Sequence, residues 1–155
     1  MNPQTVHLIS QETRTEHRGK TSVLMVKHMM IEDVVTAKPN ITVRDAVRTL
    51  REKHVGSIVI TNNNRECKGI FTERDAIRVL SSDISLDIPI EQVMSKNIIT
   101  VGKEASLEEV RRLSTSHGIR HLPVVDSKGK LVGLISVRKL IDELYGWIDA
   151  TSKFG

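Results

Sequence analysis

The sequence predicts an α/β (α+β) fold made of two βαββα units, packed about a pseudo-twofold axis through their sheets. Three observations predict it. Sliding the chain by 64 residues brings residues 27–80 into gapless register with 91–144, so that Met30 meets Met94, Thr36 Thr100, Arg48 Arg112, Gly69 Gly133, Arg74 Arg138 and Leu80 Leu144. Within each copy, apolar residues at helical three-and-four spacing alternate with short β-branched runs. One unit of this size would bury too little surface to stand alone, so two are expected to pack together with a ligand-sized cleft between them.

The elements follow in order. Residues 1–23 are polar and lie outside the repeat, which predicts a mobile tail. The first repeat is expected over 24–82, a linker over 83–88, the second repeat over 89–147 and a C-terminal tail over 148–155. Each copy opens with a short apolar run, "DVVT" or "NIIT". Amphipathic helices follow in "TVRDAVRTLREKHV" and "SLEEVRRLSTSHGI", with Val43, Ala46, Val47 and Leu50 at helical spacing. Thr42 and Ser106 are placed as N-caps, and Asp45 and Glu109 three residues on would complete capping boxes. Strand pairs "SIVIT"/"CKGIFT" and "HLPVV"/"KLVGLIS" are joined by "NNNRE" and "DSKG", whose Asn, Asp and Gly read as hairpin turns. A second helix closes each unit, with Ala76, Ile77 and Leu80 on one face in the first and Leu140, Ile141 and Leu144 in the second. Pro89 suits the first turn of a short helix through "IEQVM", and "MVKHMM" corresponds to it before copy one. Gly69 and Gly133 predict a bulge or close packing beside the second helix.

Composition narrows the function. With 39% apolar residues among 155 the chain can bury a core, but only 3% are aromatic, which poorly supplies stacking platforms for single-stranded nucleic acid. The net charge of +4 comes from 23 basic and 19 acidic residues interspersed, a mild bias towards acidic partners such as phosphates. Arg48, Arg51, Arg111 and Arg112 could meet nucleic acid, but solvated helix faces explain them better. The single cysteine, Cys67, fits a buried strand position and a reducing compartment. Without an apolar run of signal-peptide or membrane-spanning length, the expected location is the cytoplasm. His117 and His121 have the spacing of a metal pair, but Gly118 and the following strand break the helix that would align them, so no metal is expected. No nucleophile elbow, phosphate-binding glycine loop, paired cysteines or triad stands in the sequence, and no enzymatic activity is expected.

The stretches "GIFTERD", "GIRHLPVVD" and the "M....IITV" openings, at this tandem spacing, resemble a tandem pair of CBS domains (a Bateman module) over roughly residues 24 to 147. In that family a Gly, apolar, any, Thr/Ser, any, any, Asp/Asn motif marks adenosine-ligand sites, and Gly69 to Asp75 match every specified position. The resemblance implies that each site is shared, with Thr72 and Asp75 facing Ile98, Ile99, Ile119, Arg120 and His121 of the other repeat. It further implies a regulatory sensor that forms a homodimer and signals to a partner protein. A ligand-free interaction or dimerisation module is the alternative; nucleic-acid binding is a weaker one.

The residue types suit the ligand. An ionised Asp75 only accepts hydrogen bonds, and its two oxygens can receive both hydroxyls of a ribose diol. Thr72 begins a helix, where free N–H groups favour a phosphate. Arg120, His121 and Arg138 would add cations, favouring AMP, ADP or ATP over NAD and S-adenosylmethionine. Ile70, Ile98, Ile99 and Ile119 would wall the base. "TERD" also has the form of a capping box in which Asp75 merely satisfies Thr72, and Arg120 and His121 could be ordinary exposed strand residues. In the second copy Lys139 replaces the acid, Ser136 is retained, and Gly56 and Ser57 replace the Arg120–His121 pair. An ammonium has no acceptor for a ribose diol, so the second site is expected to be altered or empty.

Overall fold

A computed structural model describes residues 24–152; the expected tail over 1–23 lies outside the described residues. The elements are α1 (Val26–Met29), β1 (Thr36–Ala37), α2 (Val43–Lys53), β2 (Ser57–Thr61), β3 (Cys67–Thr72), α3 (Glu73–Leu80), a 3-10 turn (Ile90–Gln92), α4 (Leu107–His117), β4 (His121–Val125), β5 (Leu131–Ser136) and α5 (Val137–Ser152). One sheet has the order β1-β2-β3, with β1 parallel and β3 antiparallel to β2; the other is the antiparallel pair β4-β5.

Local signals place most of this. Thr42 Oγ1 accepts from the Asp45 amide at 3.1 Å and Ser106 Oγ from the Glu109 amide at 3.1 Å, starting α2 and α4. The Asp45 carboxylate turns to Arg48 at 3.4 Å, so the expected box is half made there. Both hairpins are tied by the side chain that opens them: Asn62 Oδ1 accepts from the amides of Asn64 and Glu66, and Asp126 Oδ1 from those of Lys128 and Lys130. The repeats differ at their left-handed residues. Gly118 (φ 61°) and Gly129 (φ 76°) serve the second copy, while His54 (φ 53°) and Arg65 (φ 63°) hold the same places in the first.

Alternation along the strands divides the core. Ile58, Ile60 and Phe71 point into a first core with Val43, Ala46, Leu50, Ala76 and Val79. Leu122, Val124 and Ile135 form a second with Val110 and Leu140. From the opposite faces, Val59 meets Leu131 and Leu134, with Cys67 packed against them, and this joins the sheets. Cys67 is half-buried, which pushes its thiol pKa up.

The segment that opens each repeat packs into the other repeat. Val26 is fully buried in the second core, and Ile31 and Leu134 exchange backbone hydrogen bonds at 2.8 and 2.9 Å. Ile90, Val93 and Met94 lie in the first core, and Ile70 and Ser95 exchange bonds at 3.0 and 2.9 Å. Gly69 and Gly133 make these contacts possible. A Cβ at Gly69 would fall 2.8 Å from both Cγ and Cε of Met94, and one at Gly133 would fall 2.6 Å from Met30 Sδ and 3.1 Å from the Ile31 carbonyl oxygen. Each glycine also sits beside a register shift in its hairpin. Both expected features are present, but the close neighbour is a methionine and not the second helix.

Other expectations change. "DVVT" supplies only Thr36 to a two-residue β1, and "NIIT" forms no strand; Val101, just beyond it, makes a single parallel bridge to Val124. In both copies the chain leaves the sheet edge at once, through turns at residues 39–40 and 103–104, to reach the next helix cap. The helix expected through "IEQVM" is a three-residue 3-10 turn with Pro89 before it. On α3 the buried residues are Ala76 and Val79, leaving Ile77 and Leu80 68% and 58% exposed. On α5 Leu140 is buried, whereas Ile141 and Leu144 are about half exposed. α5 runs to Ser152, past the expected boundary at 147, because the lone Gly146 costs only about 1 kcal/mol and no proline follows to stop the helix. No described helix is long and apolar enough to cross a membrane.

Candidate functional site

Strand register decides which side chains line the seam between the repeats. Ser57 stands opposite Thr72 and Val59 opposite Ile70; His121 stands opposite Ser136 and Pro123 opposite Leu134. Because Val59 and Leu134 meet between the sheets, the period-two alternation turns Ser57, Thr72 and Ile70 to the seam from one side. The same alternation turns His121 and Ser136 to it from the other.

At one end of the seam α3 begins. Asp75 Oδ2 accepts from the Thr72 amide at 2.9 Å and from its hydroxyl at 3.1 Å, and Thr72 Oγ1 accepts from the Asp75 amide at 3.3 Å. The capping box read in "TERD" is therefore formed. Asp75 Oδ1 meets Arg78 at 3.4 Å, and the side chain is 17% exposed. The same Arg78 donates to the Val93 carbonyl at 2.8 Å, and Arg74 reaches the Gly118 carbonyl of the second repeat at 3.3 Å.

His121 arrives from the second repeat and lies against Gly56. A Cβ at Gly56 would fall 3.0 Å from His121 Nε2 and 3.9 Å from Glu73 Oε2, while the Glu73 amide donates to the Gly56 carbonyl at 3.0 Å. Burial holds the imidazole pKa below its ordinary 6.5, against the pull of the Glu73 carboxylate and with a further push from Arg120. The folded state thus binds this proton less readily than the unfolded chain. That contribution to stability is whole above pH 6.5 and is lost as pH falls towards the lowered value. His121→Asn is expected to flatten the loss of stability below pH 6.5, read as urea midpoints; an unaltered slope would assign the loss to other groups.

The geometry brings some of the expected residues together. Ile70 and Thr72 at the end of β3 turn to the seam that His121 enters from the other side, and Asp75 in the first turn of α3 is bound to Thr72. Ser95, bridged to Ile70, leads three residues on to the half-buried Ile98 and Ile99. Ile99 and Ile119 pack partly against the second core, which leaves less of them as a wall. Arg120 and Arg138 are exposed, and no hydrogen bond or ion pair among the described residues joins either to Asp75. Ser136 Oγ accepts from the Lys139 amide at 3.5 Å, and the Lys139 side chain is exposed. Gly56 and Ser57, read as parts of the second cleft, adjoin His121 and Thr72 of the first. Arg74, at an unspecified position of the motif, bonds the Gly118 carbonyl across the seam, and the Glu73 carboxylate at another acts electrostatically on His121; the motif signals neither. Among the described residues no cluster of His, Cys, Asp and Glu could hold a metal.

The CBS domain profile matches residues 26–82 and 90–146. A 17.7 kDa uncharacterized protein of Acidianus ambivalens is 32% identical over 115 residues, 74% of this chain and 70% of that protein. An uncharacterized conserved protein of Pyrococcus horikoshii superposes with a TM-score of 0.73 at 32% identity, covering 79% of this chain and 92% of that one. The CBS domain pair of protein MJ0100, solved in complex with 5′-methylthioadenosine and S-adenosyl-L-methionine, gives a TM-score of 0.72 at 25% identity, covering 79% and 95%. Longer relatives are matched over part of their length: the chain spans 57% of an uncharacterized Methanopyrus kandleri protein and 21% of an inosine-5′-monophosphate dehydrogenase of Bifidobacterium longum. With two matched segments that together span most of its length and a fold shared with solved pairs, the chain belongs to the CBS-domain family and carries two such domains in tandem.

Proposed function

We propose that this CBS pair is a cytoplasmic regulatory sensor that binds an adenosine-containing nucleotide at the seam bounded by Thr72, Asp75 and His121, and signals to a partner protein. The carrying observation is that the helix start capped by Thr72 and Asp75 and the His121 imidazole of the opposite repeat border the same seam, His121 lying against Gly56, whose carbonyl accepts from the Glu73 amide next to Thr72. The adenosine ligands of the MJ0100 pair support the ligand class; Arg120, next to His121 in the chain, and the exposed Arg138 are the cations that would favour AMP, ADP or ATP. Arg74 and Arg78 tie α3 to Gly118 and Val93, so a ligand drawing on Asp75 shifts how the halves pack. Signalling requires that the ligand bind the two packings with different affinity. The cleft of Ser136 and Lys139 remains the altered one, and no catalytic role is assigned to this chain.

Titration calorimetry with AMP, ADP, ATP, NAD and S-adenosylmethionine tests this reading, and silence from all five would sink it. That result would favour a ligand-free interaction module, which the internally satisfied Asp75 also fits. Nucleic-acid binding is less supported, since Arg48 and Arg111 are engaged by Asp45 and Glu108 on their own helices. Exposed Ile77, Leu80, Ile141, Leu144 and Tyr145 on α3 and α5 form apolar helix faces suited to a second copy. Light scattering at micromolar concentration is expected to give a dimer mass; a monomer mass would remove the homodimer.

A further inference from the structure

Ser57 is 3% exposed, and its hydroxyl is the buried side-chain polar atom that has no hydrogen-bond partner among the described residues. Such an atom is costly to shut away from water, and a fold retains one where something else repays it. Its surroundings point to what that is. Ser57 and Thr72 are direct cross-strand partners whose side chains stand together on the seam face. Thr72 holds Asp75, and Gly56, next to Ser57 in the chain, carries the His121 ring. The unpaired hydroxyl therefore sits opposite Thr72, which binds Asp75, and one residue from the Gly56 that meets His121.

We propose that Ser57 is a specificity-determining residue of the nucleotide site, its hydroxyl donating to a ribose hydroxyl that in turn donates to Asp75. The assignment rests on the nucleotide reading above. Asp75 can only accept, so a ribose hydroxyl bound to it spends its proton and leaves its own oxygen needing a donor. Ser57 supplies that donor, and a deoxyribose would leave it unpaired. The seam is closed over Ser57, so an entering ligand parts His121 from Gly56, which links occupancy to the packing of the two repeats.

Calorimetry with AMP, 2′-deoxy-AMP and 3′-deoxy-AMP, on wild type and Ser57→Ala, tests the assignment, with thermal melts alongside. Wild type is expected to prefer AMP over one deoxy analogue by about tenfold. Ser57→Ala is expected to lose about that factor for AMP, to bind the same analogue as wild type does, and to melt at a higher temperature because the orphan hydroxyl is gone. Undiminished AMP affinity in Ser57→Ala, or a full preference kept over both analogues, would overturn the role alone. A lowered melting temperature would overturn it too, by revealing a structural partner for the hydroxyl. Wild type that binds none of the five adenosine ligands takes down the nucleotide reading and this role together.

Discussion

Asp75→Asn is expected to weaken adenosine-ligand binding by about 30- to 150-fold, the loss of roughly 2–3 kcal/mol from charge-assisted hydrogen bonds, while leaving the protein folded. The amide oxygen of Asn can still accept from the Thr72 amide, which is the structural half of the work done by Asp75 Oδ2. What it cannot do is receive two ribose hydroxyls, because its NH2 group is a donor facing donors. Asp75→Ala should lose the same affinity and, in addition, about 1 kcal/mol of stability with the cap. Arg78, half exposed, loses a weak surface partner in either variant and adds little. Calorimetry and thermal melts on both variants separate the two roles. Asp75→Asn that binds as tightly as wild type would reduce the carboxylate to a cap and hand the site to the interaction reading.

That double role shows how far the sequence could be read. Caps, hairpins and strands are encoded within a few residues, so Thr42, Ser106, Asn62 and Asp126 declare themselves through side chains that bond backbone close by. The 64-residue repeat adds the pairing of two like units, because each must bury a sheet face. What escaped depends on contacts far apart in the chain. Ile77 and Leu80 have the spacing of a buried face, yet the turn of α3 onto β3 is set by Ala76 and Val79, whose small volumes let the helix lie close. Of the candidate site, Thr72, Asp75 and His121 follow from the motif and the repeat. The pull of the Glu73 charge on His121 and the hydrogen bond of Arg74 to Gly118, both at open positions of the motif, exist only once the seam is built. That Ser57 stands opposite Thr72 and Gly56 against His121 is likewise a matter of strand register and of the built seam, which repeat position alone does not give.

Ile90→Ala is expected to destabilise the first repeat by about 2–5 kcal/mol although Ile90 opens the second matched domain. The side chain is fully buried, and its cluster holds Val43, Ile58 and Phe71, all from the first repeat. Its amide donates to the Ile41 carbonyl at 2.7 Å, and the amides of Val43 and Arg44 donate back to Ile88 and Leu86. Val26 is the mirror case. It opens the first matched domain, yet it packs fully buried with Leu122, Val124 and Ile135, and donates to the Ala105 carbonyl at 2.8 Å. Each physical core therefore takes its last element from the other domain's opening segment, and the pair is interlocked by exchange as well as by the contact of Val59 with Leu131 and Leu134. Native-state hydrogen exchange distinguishes this from independent domains. Ile90→Ala should speed exchange at the amides of Ile58, Ile60 and Phe71 more than at those of Leu122, Val124 and Ile135, and Val26→Ala should do the reverse. Protection lost first within the matched domain that contains the substitution would refute the exchange. A ligand that moves Asp75 against His121 would then be read through these crossed segments, because α3, through Arg78 and Val93, already holds the one that leads into the second repeat.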